Sequence, residues 1–272
     1  MAVLNLVEIE GFALSHSIDK APKDSDFPTH IHDSYEIFCL VRGNVDYIVE
    51  GTLYRLKPGA IMLMRPSETH KLIVNKSTEY ERYVLNFSSS LFSKSMFSDE
   101  LLAPFKKREL GEENMYSSGE LGTVSAIAQI EKMLYECSNI NKRDAIISNL
   151  TSLLCSINSA FGIKEKKSPA KGLDTEMISF VNENLISDLT IEKIASQMHI
   201  SPSQVSRVFK RATGKSPHSY INAKRLILFN KKVRNGKGVI EACHECGFSD
   251  YSSFYRLYKK HFGKAPGQRG EI

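Results

Sequence analysis

The sequence predicts an α+β multidomain chain, with a β-rich front, a helical hairpin in the middle and an all-α back. Three observations predict it. Apolar and polar residues alternate with a period of two up to Phe87. The apolar period then lengthens to three or four between Ser117 and Phe161, and the last hundred residues carry one pattern twice, about 49 positions apart. At 272 residues, 42% hydrophobic and 25% charged, the chain is long enough for two cores and too apolar to be largely disordered.

The front, 1–90, alternates in Tyr35–Val41, Val45–Val49 and Tyr80–Leu85, punctuated by turns at Gly43-Asn44, Glu50-Gly51 and Lys57-Pro58-Gly59. Short strands at this spacing predict a barrel or sandwich. In the middle, 91–162, Ser117 and Glu120 have capping-box spacing ahead of an apolar stripe of Leu121, Val124, Ile127, Ala128 and Leu134. A second helix runs from Lys142 to Phe161 with Ile146, Leu150, Leu153, Leu154, Ile157 and Phe161 in line. The stripe suits packing on the barrel or on a second subunit, and its width favours a homodimer. Residues 163–173, charged and small around Pro169, read as a linker.

The back, 174–272, is a duplication. A shift of 49 aligns Ser201 with Asp250, Val205 with Phe254, Arg207 with Arg256, Phe209 with Tyr258, Lys210 with Lys259, Gly214 with Gly263 and Pro217 with Pro266. Just upstream the shift is 48, aligning Ile191 with Val239, Ile194 with Ala242 and Ile200 with Phe248. Each copy, 190–213 and 238–262, reads as a short helix, a tight turn and a second helix, with Thr190, Ser201 and Asp250 as caps and Gly214 and Gly263 as stops. On the second helices, Val205, Val208, Phe209 and Ala212, and then Phe254, Leu257, Tyr258 and His261, are expected to face inward. Ser203, Ser206, Arg207 and Lys210, and then Tyr251, Ser252, Tyr255, Arg256 and Lys259, are expected to face a partner. From Leu173 on there are 16 basic against 9 acidic residues, while the first 172 residues hold 20 against 22, so the anionic partner belongs to the back. Double-stranded DNA fits, since an arginine fork matches a guanine edge and lysines anchor phosphates.

The runs Leu189–Ala195, Ser201–Lys210, Gly214–Ile221 and Arg225-Leu226, with Gly247–Arg256 and Gly263–Pro266, closely resemble AraC/XylS-type transcription regulators. The resemblance implies two helix-turn-helix motifs on a connecting helix at about His218–Arg234, reading successive major grooves, and RNA polymerase as a further partner. The chain departs from the family pattern at Phe229, at Ala242-Cys243 and at the closing Gly267-Gln268-Arg269. Cys243 and Cys246 form a CxxC beside His244, but without a second ligand pair nearby they read as structural.

In the front, His30, His32, Glu36, Gly43 and His70 resemble the cupin pattern of His-x-His, Glu, Gly and a later His, implying a cupin-like barrel. Before such a DNA-binding module, the barrel commonly holds a small effector, often a sugar or related metabolite, and usually no metal. His30, His32, Glu36 and His70 are thus expected to line an effector site, with Tyr47 and Arg82 as further candidates. No catalytic residue, metal or cofactor is assigned. The alternatives are a cupin metalloenzyme tethered to DNA, in which the same side chains hold Zn, Mn or Fe, and a ligand-independent regulator with a structural barrel. Five scattered cysteines, no apolar run of membrane length and no signal-peptide pattern predict a cytoplasmic protein.

Overall fold

The computed structural model describes residues 2–75, 79–92, 99–121, 125–163 and 172–267. They fall into two compact units. The linker expected at 163–173 lies almost wholly outside the described residues.

The front unit contains β1 (Ala2–Ile9), β2 (Phe12–Asp19), β3 (Tyr35–Arg42), β4 (Val45–Val49), β5 (Thr52–Arg55), β6 (Ile61–Met64), β7 (His70–Val74), β8 (Tyr80–Phe87) and the short β9 (Met115–Tyr116). Its helices are α1 (Ala103–Lys106), α2 (Ala126–Cys137) and α3 (Lys142–Ile163). The strands form an antiparallel six-stranded sheet in the order β1-β2-β8-β3-β6-β9 and a three-stranded sheet in the order β5-β4-β7.

The two-residue period of a strand sends alternate side chains to opposite faces, and this sorts the large sheet into two cores. Ile37, Cys39, Ile61, Leu63, Leu85 and Phe87 face the helices. Phe38, Leu40, Met62 and Met64 meet Val45, Tyr47, Val49 and Leu72 of the small sheet. The two sheets thus enclose a flattened barrel, as the short alternating runs predict.

Ile146, Leu150, Leu153, Leu154 and Ile157 of α3 are fully buried in the helix-facing core. The stripe that favoured a homodimer is therefore consumed within its own unit. By length and composition α3 could cross a membrane, but its apolar face is the wall of this core. The capping-box expectation needs correction. Ser117 N–H does donate to Glu120 Oε2 at 2.7 Å, but the pair closes a turn, and α2 begins behind Ser125. The buried face of α2 is Ala126, Ile130, Met133 and Cys137, whereas Ile127 and Leu134 are only half-buried and Ala128 is exposed. Val124 lies outside the described residues. Packing against α3 and the sheet chose a face one residue round from the one that the first apolar residues suggested.

The back unit is α4 (Leu173–Glu183), α5 (Ile191–Gln197), α6 (Pro202–Thr213), α7 (Pro217–Arg234), α8 (Val239–Glu245) and α9 (Tyr251–Phe262). The duplication is reproduced residue for residue: α5 and α8 both have 7 residues and start 48 positions apart, and α6 and α9 both have 12 and start 49 apart. Each copy has its own apolar core. Val205, Val208 and Phe209 pack with Met177, Ile194, Tyr220 and Ile221, while Phe254 and Tyr258 pack with Leu226, Phe229 and Cys243. Helix α7 supplies residues to both.

In the turns, His199 (φ 54°) occupies the place of Gly247 (φ 80°). A left-handed conformation costs a residue with a Cβ about 1–2 kcal/mol. His199→Gly is therefore expected to stabilise the back unit by roughly 0.5–1 kcal/mol after glycine's greater unfolded-state entropy is subtracted, read as a higher unfolding midpoint in urea.

Candidate nucleic-acid interface and effector site

Helices α6 and α9 begin at well-made caps. The Ser201 hydroxyl accepts from Gln204 N–H, and the Gln204 side chain accepts in return from Ser201 N–H at 2.9 Å, with Pro202 at the first helical position. The Asp250 carboxylate accepts from Ser252 N–H at 3.2 Å and Ser253 N–H at 2.7 Å. The first of these bonds to lower its pKa are those with Ser253. Both helices end on left-handed glycines, Gly214 (φ 70°) and Gly263 (φ 72°). These caps fix where each helix starts and stops, and the buried face fixes its rotation. Together they set which side chains point outward.

Val205, Val208, Phe209 and Ala212 are buried, and Ser203, Arg207 and Lys210 are exposed with Ser206 half-exposed. In the second copy Phe254 and Tyr258 are buried and Leu257 half-buried, while Ser252, Arg256 and Lys259 are exposed and Tyr251 and Tyr255 partly so. Each helix thus presents an arginine and a lysine at equivalent positions, next to a further exposed base, Arg211 in α6 and Lys260 in α9. Arg256 Nη2 lies 3.4 Å from Ser253 Oγ, so its guanidinium leans along the helix toward the capped end. His261, expected to face in, is exposed. Phe262 instead packs against Tyr258, with ring centroids 4.7 Å apart, because the larger apolar ring takes the last inward position.

The departures from the family pattern have packing explanations. Phe229 is fully buried, 4.6 Å from Phe254 and 5.4 Å from Tyr258 between ring centroids, and fills the second core. Ala242, Cys243 and Cys246 are fully buried, and burial pushes the Cys246 thiol up to about 11. They are apolar filling rather than thiolate ligands. Gln268 and Arg269 lie outside the described residues.

In the front unit, the alternation of β3 and β8 aims Glu36, Tyr80 and Arg82 between the sheets, where Tyr47 of β4 and His70 of β7 meet them. Glu36, Tyr47, His70 and Tyr80 are all buried. The His70 ring stacks near Tyr47 at 6.2 Å, and its Nδ1 lies 2.9 Å from the Glu68 carbonyl. In the neutral ring that carbonyl holds the proton on Nδ1, leaving the Nε2 lone pair facing Glu36 Oε1 at 3.8 Å. The Arg82 guanidinium lies over the rings of Tyr80 (4.7 Å) and Phe27 (5.3 Å). Burial, then the charge of Glu36, pushes the Tyr47 phenol well above its ordinary range, so it stays a neutral hydroxyl. The Tyr80 phenol is also raised, chiefly by burial.

The Tyr80 hydroxyl is buried and has no hydrogen-bond partner among the described residues. The alternation marks Tyr80 as a strand residue but gives no sign that its hydroxyl lies in this polar patch. Of the four residues singled out from the sequence, the front unit brings Glu36 and His70 together, whereas His30 and His32 group with the back unit.

Two family comparisons cover most of the chain. The AraC-like ligand binding domain matches residues 18–136, and a helix-turn-helix domain matches residues 194–269. The HTH-type transcriptional activator RhaS of Citrobacter koseri is 23% identical over 273 residues, spanning 92% of this chain and 94% of its own. RhaS of an Escherichia coli strain is 23% identical over 256 residues, spanning 93% and 90%. Among solved structures, an apo ToxT variant from Vibrio cholerae aligns over 93% of this chain and 95% of its own, at 13% identity and a TM-score of 0.44. With the ligand-binding domain in front and two capped helix-turn-helix motifs behind, the chain belongs to the AraC family of transcription regulators.

Proposed function

We propose that this regulator is an activator that answers a small neutral or weakly charged effector, a sugar or related metabolite, held between the two front sheets. On this reading it reads duplex DNA with Ser203, Ser206, Arg207 and Lys210 of α6 and with Tyr251, Ser252, Tyr255, Arg256 and Lys259 of α9. The observation that carries the DNA reading is the matched exposure of an arginine and a lysine at equivalent positions on two side-chain-capped helices. Each such helix enters a major groove, and the two sites lie about one helical turn, ~34 Å, apart. The activator sense follows the relatives' printed names. The site of action is the cytoplasm, the chain itself is not an enzyme, and RNA polymerase and a second copy of the chain are its protein partners.

The effector reading rests on Glu36, Tyr47, His70, Tyr80 and Arg82, a polar patch inside an otherwise apolar barrel. A buried hydroxyl without a partner costs about 1–3 kcal/mol, which a ligand oxygen would relieve. Tyr80→Phe is therefore expected to leave the ligand-free melting temperature unchanged or higher. Glu36→Gln and Tyr80→Phe should both shrink the melting-temperature rise given by whichever of a panel of aldoses, deoxyhexoses and sugar acids stabilises the unmodified protein. If no sugar in the panel raises it, the sugar assignment fails. An undiminished rise in both variants would move the site elsewhere.

A further inference from the structure

The two helix-turn-helix bundles have separate apolar cores, and α7 is the element that runs through both. A single helix crossing two small cores leaves their relative twist soft, because rotation about it breaks few contacts in either one. Arg225, midway along α7, bridges them. Its Nε donates to Leu185 O at 2.7 Å and its Nη2 to Ser187 O at 2.8 Å, both in the connector from α4 to α5. Its Nη1 donates to Gly247 O at 2.8 Å, in the turn that leads from α8 into α9. One planar fork thus holds the backbone on the way into the first motif and the backbone at the turn of the second.

A second observation points the same way. A Cβ built on Gly247 would lie 3.0 Å from Arg225 Cζ and 3.1 Å from Ile186 O, so a side chain here would press on the guanidinium that lies against the turn. The equivalent turn residue of the first copy is His199, which takes the left-handed φ with a side chain in place. The glycine therefore serves the bridge as well as the left-handed φ. Arg225 also lies 5.9 Å from the Phe248 ring centroid, which covers one face of the fork. Lysine cannot replace this arrangement, since an ammonium lacks the rigid, divergent donors that reach three carbonyls at once.

We infer that Arg225 is a positioning residue that fixes the angle between the two recognition helices, and so sets the spacing of the two DNA half-sites the monomer accepts. The inference rests on the reading that α6 and α9 engage successive grooves. Arg225 touches no DNA on this account, and its loss acts through geometry.

The test uses the full-length chain and a duplex selected by it from a random pool, with two, three or five base pairs then inserted between the halves. The unmodified protein is expected to lose at least 10-fold in affinity on the five-base-pair insertion. Arg225→Ala and Arg225→Lys are expected to bind the original duplex more weakly while losing less than about 3-fold on insertion. A spin-label pair on α6 and α9, at Lys210→Cys and Lys260→Cys in a Cys155→Ser background, supplies a readout free of DNA. Its distance distribution should broaden in both Arg225 variants. Variants that keep the full spacing penalty and a narrow distribution overturn the inference. Broadened distances alongside an unmodified protein that ignores spacing would overturn the two-groove reading while leaving the bridge intact. Should Arg225→Ala fail to fold, Arg225→Lys and Gly247→Ala carry the same two measurements.

Discussion

Arg108→Ala is expected to destabilise the front unit by about 3–5 kcal/mol, because it strands a carboxylate inside the protein. Glu68 and Arg108 have fully buried side chains, and the guanidinium meets the carboxylate through two bonds of 2.6 and 2.7 Å. The remaining capacity of both groups is filled. Arg108 also donates to the carbonyls of Leu63 and Pro104, and Glu68 accepts from the backbone N–H groups of Arg65 and Gly111. Asn114 closes the network with a bond from Nδ2 to the Leu63 carbonyl at 2.7 Å. The pair ties the segment carrying α1 and β9 to the end of β6. The Glu68 carbonyl also accepts from the His70 ring, which joins the network to the proposed effector site.

Burial alone would raise the Glu68 pKa, but the charge and hydrogen bonds of Arg108, with Arg65, bring it down to about 2 from 4.5. A carboxylate with a depressed folded pKa contributes stability that is present above its unfolded value and lost as pH falls through the folded one. Unfolding in urea between pH 4.5 and 2 should therefore show a steep loss that Glu68→Gln flattens. Replacing both partners by apolar residues of similar size is expected to cost far less than Arg108→Ala, since no charge is then stranded. Equal losses for the single and double variants would contradict the account.

Arg256→Ala is expected to cost about 1–3 kcal/mol against the preferred duplex and to relax base choice at one position, as the removal of a two-pronged guanine contact does. Lys259→Ala should instead weaken preferred and random duplexes alike and reduce the slope of log affinity against log salt by about 1. Titrations of both variants at three salt concentrations, against the selected duplex and a scrambled one, give the comparison. If the two variants lose specific and random binding in the same proportion, Arg256 is a phosphate contact and the base reader lies elsewhere on α9. The same pair of measurements applies to Arg207 and Lys210 on α6.

The back unit was legible because its determinants are local. A serine or aspartate cap, a proline at the first turn, a left-handed glycine at the end and an apolar residue every three to four positions fix a helix and its inward face within a dozen residues. The register of the duplication then carried the second copy over from the first. Where locality failed, so did the reading. The turn made by Ser117 and Glu120 has the spacing of a cap but feeds no helix. His261 lost its inward place to Phe262, its neighbour, because the choice between them is settled by the shape of the core around Tyr258.

By itself, the sequence determined the β-rich front, the helical pair and the two capped motifs with their outward arginines and lysines. The tertiary structure alone decided that α3 spends its stripe on its own sheet, that Tyr80 joins Glu36 and His70 inside the barrel, and that Glu68 meets Arg108 across 40 positions of chain. It also decided that one guanidinium on α7 ties the connector that leads into the first motif to the turn of the second. The division has a physical cause. Caps, turns and periodicity act through neighbours along the backbone, whereas a buried charge or a lone hydroxyl takes its meaning from groups that only folding brings within hydrogen-bond reach.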